Sequence, residues 1–578
     1  ALRSQQRLDE AIRSLREALR LKPDYPEAHY NLGMALAADS RFDEAIASFR
    51  QATLLKPDYV EALLHLAAVL AMVGRLEEAV TVFQDVIRLQ PRHPSAHTLL
   101  GDTLVEQGRF EEAAASYRRA LEFHPGDVEI LNNLGNALSE AGRTGEAIGC
   151  YQRALQHRPS HLPSYQNLGL ALLDLNRVEE AVQCYRQALK IEPDHPEMLS
   201  NLGGALARQD KMDEAMGCYR RALEIKPDFA PALYNLGNAW RATGRLPEAE
   251  ENYCRAICLR QDYADAHVNL ALTLLAKSRF REGWQEYDWQ WRREGGAPRP
   301  FALPDWNGNN LRGRPVFLHA EQGFGDELFF LRFVPWLKQR GAGRVTYRPT
   351  AKIASLLART TVLDRLAGPD ESPTPDELVC SVGDLPRLLE MERVEQIPPA
   401  LMLVPLPSRV EAMRQRLAVL GPPPYVGVTW RGGTKDKKNA LYKEAPLTRL
   451  AECLRGINAT VLVLQRLPLA EEIQTFRKTL GSPAHDLTML NDNLESMLAL
   501  LALLDDYVGV SNTNMHLRAG AGRTARVLVP TPPEWRWMAE GRESPWFPGF
   551  HIYRQGDDRD WNRAMEELRQ DLRRTLAG

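Results

Sequence analysis

Residues 194–227 read DHPEMLSNLGGALARQDKMDEAMGCYRRALEIKP, and several of their positions return every 34 residues along the first half of the chain. Proline stands at Pro23, Pro57, Pro91, Pro125, Pro159, Pro193 and Pro227, until Gln261 breaks the series. Ala45, Ala79, Ala113, Ala147, Ala181, Ala215 and Ala249 keep the same register, as do the aromatics Phe49, Phe83, Tyr117, Tyr151, Tyr185, Tyr219 and Tyr253. A fixed period of this length marks a repeat architecture. The small residue lets two helices approach closely, and the aromatic four positions on fills the space beside it.

The pattern resembles the tetratricopeptide repeat, in which a helical hairpin buries its apolar faces only by stacking on its neighbours. The resemblance implies an all-α superhelix with an extended groove suited to something elongated. An incomplete repeat runs through Leu21, seven full units follow over residues 24–261, and an eighth from Asp262 loses the motif after 281–283. There Trp284, Tyr287, Trp289 and Trp291 replace the aliphatic pattern. Such a ring cluster either caps the apolar end of the repeats or docks it onto the following region.

Asn31, Asn133, Asn167, Asn201, Asn235 and Asn269 share a further register, in the first helix of each repeat, with gaps at His65 and Leu99. An Asn side chain carries two donors and one acceptor, so a row of them can pair with an extended peptide backbone whatever its sequence. The row is similar to the asparagine ladder of eukaryotic O-linked N-acetylglucosamine transferase, which makes Asn133, Asn167, Asn201, Asn235 and Asn269 the expected acceptor-binding residues. The alternative is a consensus residue on a solvated helix face.

Lys and Arg number 72 against 75 Asp and Glu, a net charge of -3, so no general attraction to a polyanion exists and nucleic acid is not expected as a partner. No apolar stretch reaches the ~20 residues that span a bilayer; the longest, 497–504, reads as a buried helix. Of seven cysteines, Cys150, Cys184 and Cys218 share one repeat register, too far apart to bridge. A reducing, cytoplasmic setting is expected. The chain opens at Ala1 inside a helical pattern, so a targeting segment, if the natural protein has one, lies ahead of it.

From about Gly296 the period gives way to a Pro-rich linker and then to short apolar runs at 316–320, 345–348, 425–430, 460–464, 506–510 and 526–529, alternating with helical segments. This alternation predicts parallel sheets covered by helices. Proline-rich stretches at 397–407 and 421–424 divide the region into two lobes, giving expected domains at 1–295, 296–407 and 408–578. Two Rossmann-like lobes place a ligand at the carboxyl ends of their strands.

Three turns stand out. Gly323 and Gly325 follow the first strand and permit close backbone approach, and Asp326 opens the next helix, either as an N-cap or exposed at the cleft. Arg431 and Gly432 follow 425–430, with Lys435, Lys437, Lys438 and Lys443 beyond, as a diphosphate cradle or a solvated loop. Ser511, Asn512, Thr513 and His516 open a helix, offering hydroxyls and amides that suit phosphate oxygens.

Trp306-Asn307-Gly308, the segment from Glu321 to Arg332, His516 to Gly522, Glu534-Trp535-Arg536-Trp537 and Ser544-Pro545-Trp546-Phe547-Pro548 occur in that order. Together they resemble bacterial proteins that join tetratricopeptide repeats to a domain similar to the ADP-heptose:lipopolysaccharide heptosyltransferases. The resemblance implies a GT-B fold, a nucleotide-sugar co-substrate, no other cofactor and no required metal. It makes Asp326 the general base and Lys443 the cation that neutralises the leaving diphosphate, with Arg431, Gly432, Ser511, Asn512, Thr513 and His516 around the donor. Asn512 stands where the family has Asp, and Arg518 where it has Ala, so contacts at this turn are expected to differ. The reading is an inverting glycosyltransferase acting on Ser or Thr of a recruited polypeptide, such as a flagellin or another surface protein. The alternatives are a lipid-linked or lipopolysaccharide saccharide as acceptor, or a non-enzymatic scaffold.

Overall fold

A computed structural model describes residues 2–293, 301, 306–320, 323–432, 443–556 and 559–576, with side chains from residue 7 onward. It divides into two compact units, Ala1–Pro227 and Asp228–Gly578.

The first unit is helical throughout. After Leu2–Leu21 come helix pairs in the predicted register, from Pro26–Ala38 with Phe42–Leu55 to Pro196–Arg208 with Met212–Ile225. Each first helix ends where one residue takes a left-handed conformation: Ser40, Gly74, Gly108, Gly142, Asn176 and Asp210, again 34 apart. That residue stops the helix and turns the chain into its partner. The alanine series is fully buried. The aromatic series, Phe83 apart, lies over a glycine of the first helix, and a Cβ on Gly135 would sit 2.4 Å from Tyr151 Cε1.

Tyr151 cannot swing away easily, because its hydroxyl donates to Asn136 Oδ1 at 2.8 Å. Gly135→Ala gains at most about 1 kcal/mol of helix propensity, whereas forcing a pinned ring aside costs about 1–3 kcal/mol. The expected outcome is a net loss of stability, read as an earlier denaturant midpoint. A midpoint at or above the parent's would mean that the ring yields freely.

The second unit opens with helices Ala230–Ala242, Leu246–Leu259, Ala264–Ala276 and Phe280–Tyr287, which continue the repeat pattern. The units thus divide at Pro227, two hairpins before the change of sequence pattern near 295. The tryptophans give the reason. Trp284 is 1% exposed and meets Trp535 and Trp546 edge-on, with ring centroids 5.4 and 6.3 Å apart. Trp291 donates to Asp384 Oδ1 at 3.3 Å. The ring cluster therefore docks these last helices onto the α/β region instead of capping them.

Two parallel sheets follow, bearing out the α/β expectation. The first holds β1 (Val316–His319), β2 (Val345–Arg348), β3 (Arg365–Leu366) and β4 (Leu378–Ser381), in the order β3-β2-β1-β4. The second holds β5 (Tyr425–Val428), β6 (Thr460–Val463), β7 (Ala484–Asp486), β8 (Asp506–Val510), β9 (Arg526–Val529) and β10 (His551–Arg554), in the order β10-β9-β8-β5-β6-β7. That is a doubly wound order, reversing between β5 and β8. The first sheet reverses between β1 and β4. Crevices at such reversals, beyond the carboxyl ends of the strands, are where open parallel sheets bind ligands. Helix Leu494–Leu503, the predicted apolar helix, buries Met497 to Leu501 completely.

Candidate functional site

The turn after β1 leads into helix Phe324–Phe330, with Asp326 in its first turn and one-third exposed. Gly325 serves packing more than ligand approach: a Cβ there would lie 3.1 Å from His516 Cδ2. Residues 321–322 lie outside the described residues.

At the carboxyl end of β5 the groups are largely committed. The Trp430 and Arg431 amides both donate to Gln465 Oε1 at 2.9 Å, and the Gly432 amide donates to Lys443 O at 2.7 Å. The buried Arg431 guanidinium pairs with Glu472 in the first turn of helix Ala470–Leu480. Arg431 therefore fastens the turn to the neighbouring helix, where the sequence suggested a donor contact. Gly432 is required by close approach, since a Cβ would meet Ser511 O at 2.4 Å. Lys435, Lys437 and Lys438 lie outside the described residues.

After β8, Asn512 caps helix Thr513–Gly520, accepting the Met515 amide, and its Nδ2 donates to Thr429 Oγ1 at 2.9 Å. Thr513 starts that helix beside Gly325. Arg518 points elsewhere, donating to the carbonyls of Leu501, Leu504 and Asp505 at the end of helix Leu494–Leu503 and to that of Thr524 before β9. The expected change in ligand contacts does not apply to Arg518. It closes a helix C-terminus, whose negative dipole end favours a cation.

What joins these turns is a pair of residues read in the sequence only as motif markers. Glu534 is buried and accepts from Lys443 Nζ at 2.6 Å, Ser511 Oγ at 2.6 Å and Arg536 Nη1 at 2.5 Å. Arg536, equally buried, reaches on to Asp326 Oδ1 at 2.5 Å and stacks between Phe329 and Trp535, 4.5 and 4.4 Å from their centroids. Lys443, Glu534, Arg536 and Asp326 thus form one chain of alternating charge lining a single pocket. Its signal in the sequence was Glu and Arg set among tryptophans, because a charge amid large rings is seldom left without a partner.

Burial alone would raise the Glu534 carboxyl, but the Lys443 and Arg536 charges overrule it and hold it well below the carboxylate range. His516 is pushed well below the usual imidazole value, first by burial and then by the Arg536 charge. Its Nδ1 has no hydrogen-bond partner among the described residues. Below about pH 6.5 the unfolded chain takes up a proton at His516 that the folded chain does not, so stability is complete above that pH and falls beneath it. His516→Gln is expected to flatten the loss between pH 6.5 and 5, by up to about 1.4 kcal/mol per pH unit. Parallel curves in urea titrations across that range would exclude His516 as the source.

The asparagine row makes contacts of its own. In the first unit, Asn167 Nδ2 donates to Asn132 and Asn136 of the preceding repeat at 3.1 and 2.9 Å, and Asn133 Nδ2 to Asp102 at 3.3 Å. In the second, Asn269 Nδ2 donates to Asn238 at 2.9 Å and Tyr234 at 3.1 Å. Asn136 and Asn238 also accept from Tyr151 and Tyr253. These amides tie successive repeats together. Asn201 and Asn235 are half-buried in the same register.

A family model described as the Cilia and flagella-associated protein 70 C-terminal domain matches residues 1–176, and a tetratricopeptide repeat model matches 167–230 and 218–266. The N-terminal part of the chain is accordingly built of tetratricopeptide repeats. Among curated proteins the chain is similar to Protein FlbA of Caulobacter vibrioides, 26% identical over 325 residues. The match takes in 52% of this chain and 53% of that protein, so the chain spans about half the length of its relative. Similar solved structures include YrrB, a TPR protein with an unusual peptide-binding site, at 21% identity and TM-score 0.29 over 32% of this chain and 95% of that one. A tetratricopeptide repeat protein from Parabacteroides merdae gives 19% identity and TM-score 0.38, over 42% and 94%. No helix among the described residues is long and apolar enough to cross a membrane.

Proposed function

We propose that the chain is an inverting, metal-independent glycosyltransferase with two GT-B-type lobes, moving a sugar from a nucleotide-sugar to Ser or Thr of a protein held by the repeats. The observation that carries the reading is the meeting of Asp326 and Lys443 in one pocket, bordered by turns at the carboxyl ends of β1 and β5 and linked through Glu534 to Ser511 after β8. Asp326 takes the acceptor hydroxyl proton as the new bond to the anomeric carbon forms and the bond to the diphosphate oxygen breaks. Lys443 and Arg536 offset the charge that develops on the leaving diphosphate, the task preorganised cations perform best in a site closed to water. Arg536 also pairs with Asp326 Oδ1 at 2.5 Å and so orients the carboxylate. A flagellin or another surface protein fits the acceptor role through the resemblance of the layout. A cytoplasmic site of action belongs to the same proposal, and all seven cysteines are free thiols.

One observation favours a scaffold instead: Asp326 and Lys443 are already paired inside the protein. Intact-mass analysis of candidate surface proteins co-expressed with the chain separates the two. A defined mass increment supports transfer to protein, and an increment on a lipid-linked saccharide alone moves the acceptor. No increment on either, together with no thermal stabilisation by any nucleotide, leaves the scaffold.

A further inference from the structure

The pocket that holds Asp326, a cavity of about 210 Å³, is walled on one side by the α/β region and on the other by repeat helices of the same unit. From the repeats come Arg241 on Ala230–Ala242, Thr273 on Ala264–Ala276, and Tyr287. On the α/β side two cations meet two carboxylates: Lys443 pairs with Glu534, and Arg536 with both Glu534 and Asp326. Arg241 forms no ion pair among the described residues and lies beside the Tyr253 hydroxyl. Among the described lining residues the pocket therefore carries one positive charge in excess. In addition, the Nε groups of Arg241 and Arg536 are both buried without a hydrogen-bond partner among the described residues. A guanidinium without a carboxylate partner among the described residues, at the wall of a pocket with excess positive charge, suits a planar or tetrahedral oxyanion.

We propose that Arg241, a repeat residue, binds a phosphate oxyanion in this pocket, so that the last hairpins complete the site as well as recruit to it. The inference rests on the glycosyltransferase reading and extends it. The oxyanion comes either from a nucleoside diphosphate or from inorganic pyrophosphate. An acidic acceptor side chain is the competing occupant.

Calorimetry on the full chain tests this, with pyrophosphate, the four common nucleoside diphosphates and an acidic peptide as probes. Arg241→Gln is expected to weaken phosphate binding at least tenfold, Arg241→Lys to recover part of it, and Arg245→Gln, a repeat arginine outside the pocket lining, to leave it unchanged. Nucleoside diphosphate binding tighter than pyrophosphate by tenfold or more identifies the nucleotide as the source, and equal affinity identifies pyrophosphate. Unaltered phosphate binding in Arg241→Gln overturns the inference, as does a loss confined to the acidic peptide. If Lys443→Gln loses the nucleotide while Arg241→Gln keeps it, the inference fails and the donor site stands. If the parent chain binds no phosphate probe, both fail.

Discussion

Sugar transfer by an Asp326→Ala protein is expected to fall by about two to four orders of magnitude, the usual contribution of a positioned general base, while nucleotide affinity changes little. The selectivity follows from position. Asp326 is the outermost member of the charge chain, one-third exposed, and pairs with its buried members through Arg536. Its removal leaves Arg536 still paired with Glu534, and Glu534 still paired with Lys443. The cations expected to hold the diphosphate are therefore kept. Parallel loss of nucleotide binding and transfer would recast Asp326 as a structural member of the chain, and unchanged transfer would remove it as the base.

Arg536→Ala is expected to act on the fold itself, by about 3–5 kcal/mol. Removing Arg536 withdraws one of the two cations that hold the buried Glu534 carboxylate and leaves the space between Phe329 and Trp535 unfilled, and both are costly. Glu534 would keep Lys443 and Ser511 but lose a 2.5 Å contact deep among Phe329, Trp535 and Trp546. The measurement has a convenient reporter, because all eleven tryptophans lie in Asp228–Gly578, so their emission follows unfolding of that unit alone. Arg536→Lys is expected to lose less, since it keeps the charge but cannot bridge two carboxylates with one planar fork. A denaturant midpoint for Arg536→Ala within error of the parent would show that Lys443 alone suffices for Glu534 and that the surrounding rings close over the gap.

Much of this was legible in the chain before any coordinates. Ala45 and its equivalents, Phe49 and its equivalents, and the proline series describe the hairpins because each repeat meets the same neighbours, so one register repeats one environment. The six apolar runs became β1, β2, β5, β6, β8 and β9, since a strand buried on both faces needs an unbroken run of apolar residues. Strands β3, β4, β7 and β10 went unread: β3 has two residues, β7 is Ala-His-Asp, and β10 opens on an exposed histidine. β3, β7 and β10 become strands because a neighbour supplies hydrogen-bond partners, not because their own pattern demands it, whereas β4 is a fully buried four-residue run.

The candidate site divides the same way. The sequence by itself determined the repeats, the α/β class of the second half and the turns carrying Asp326, Lys443 and Ser511, since period and glycine-bearing turns are local properties. Only the tertiary structure decided that Arg431 turns to Glu472, that Arg518 closes a helix, that the asparagine amides tie repeat to repeat, and that Glu534 and Arg536 link the turns. A charged side chain settles on whichever buried partner the fold brings within about 3 Å. For Arg536 and Asp326 that partner is 210 residues away in the chain, a distance over which no local pattern specifies who meets whom.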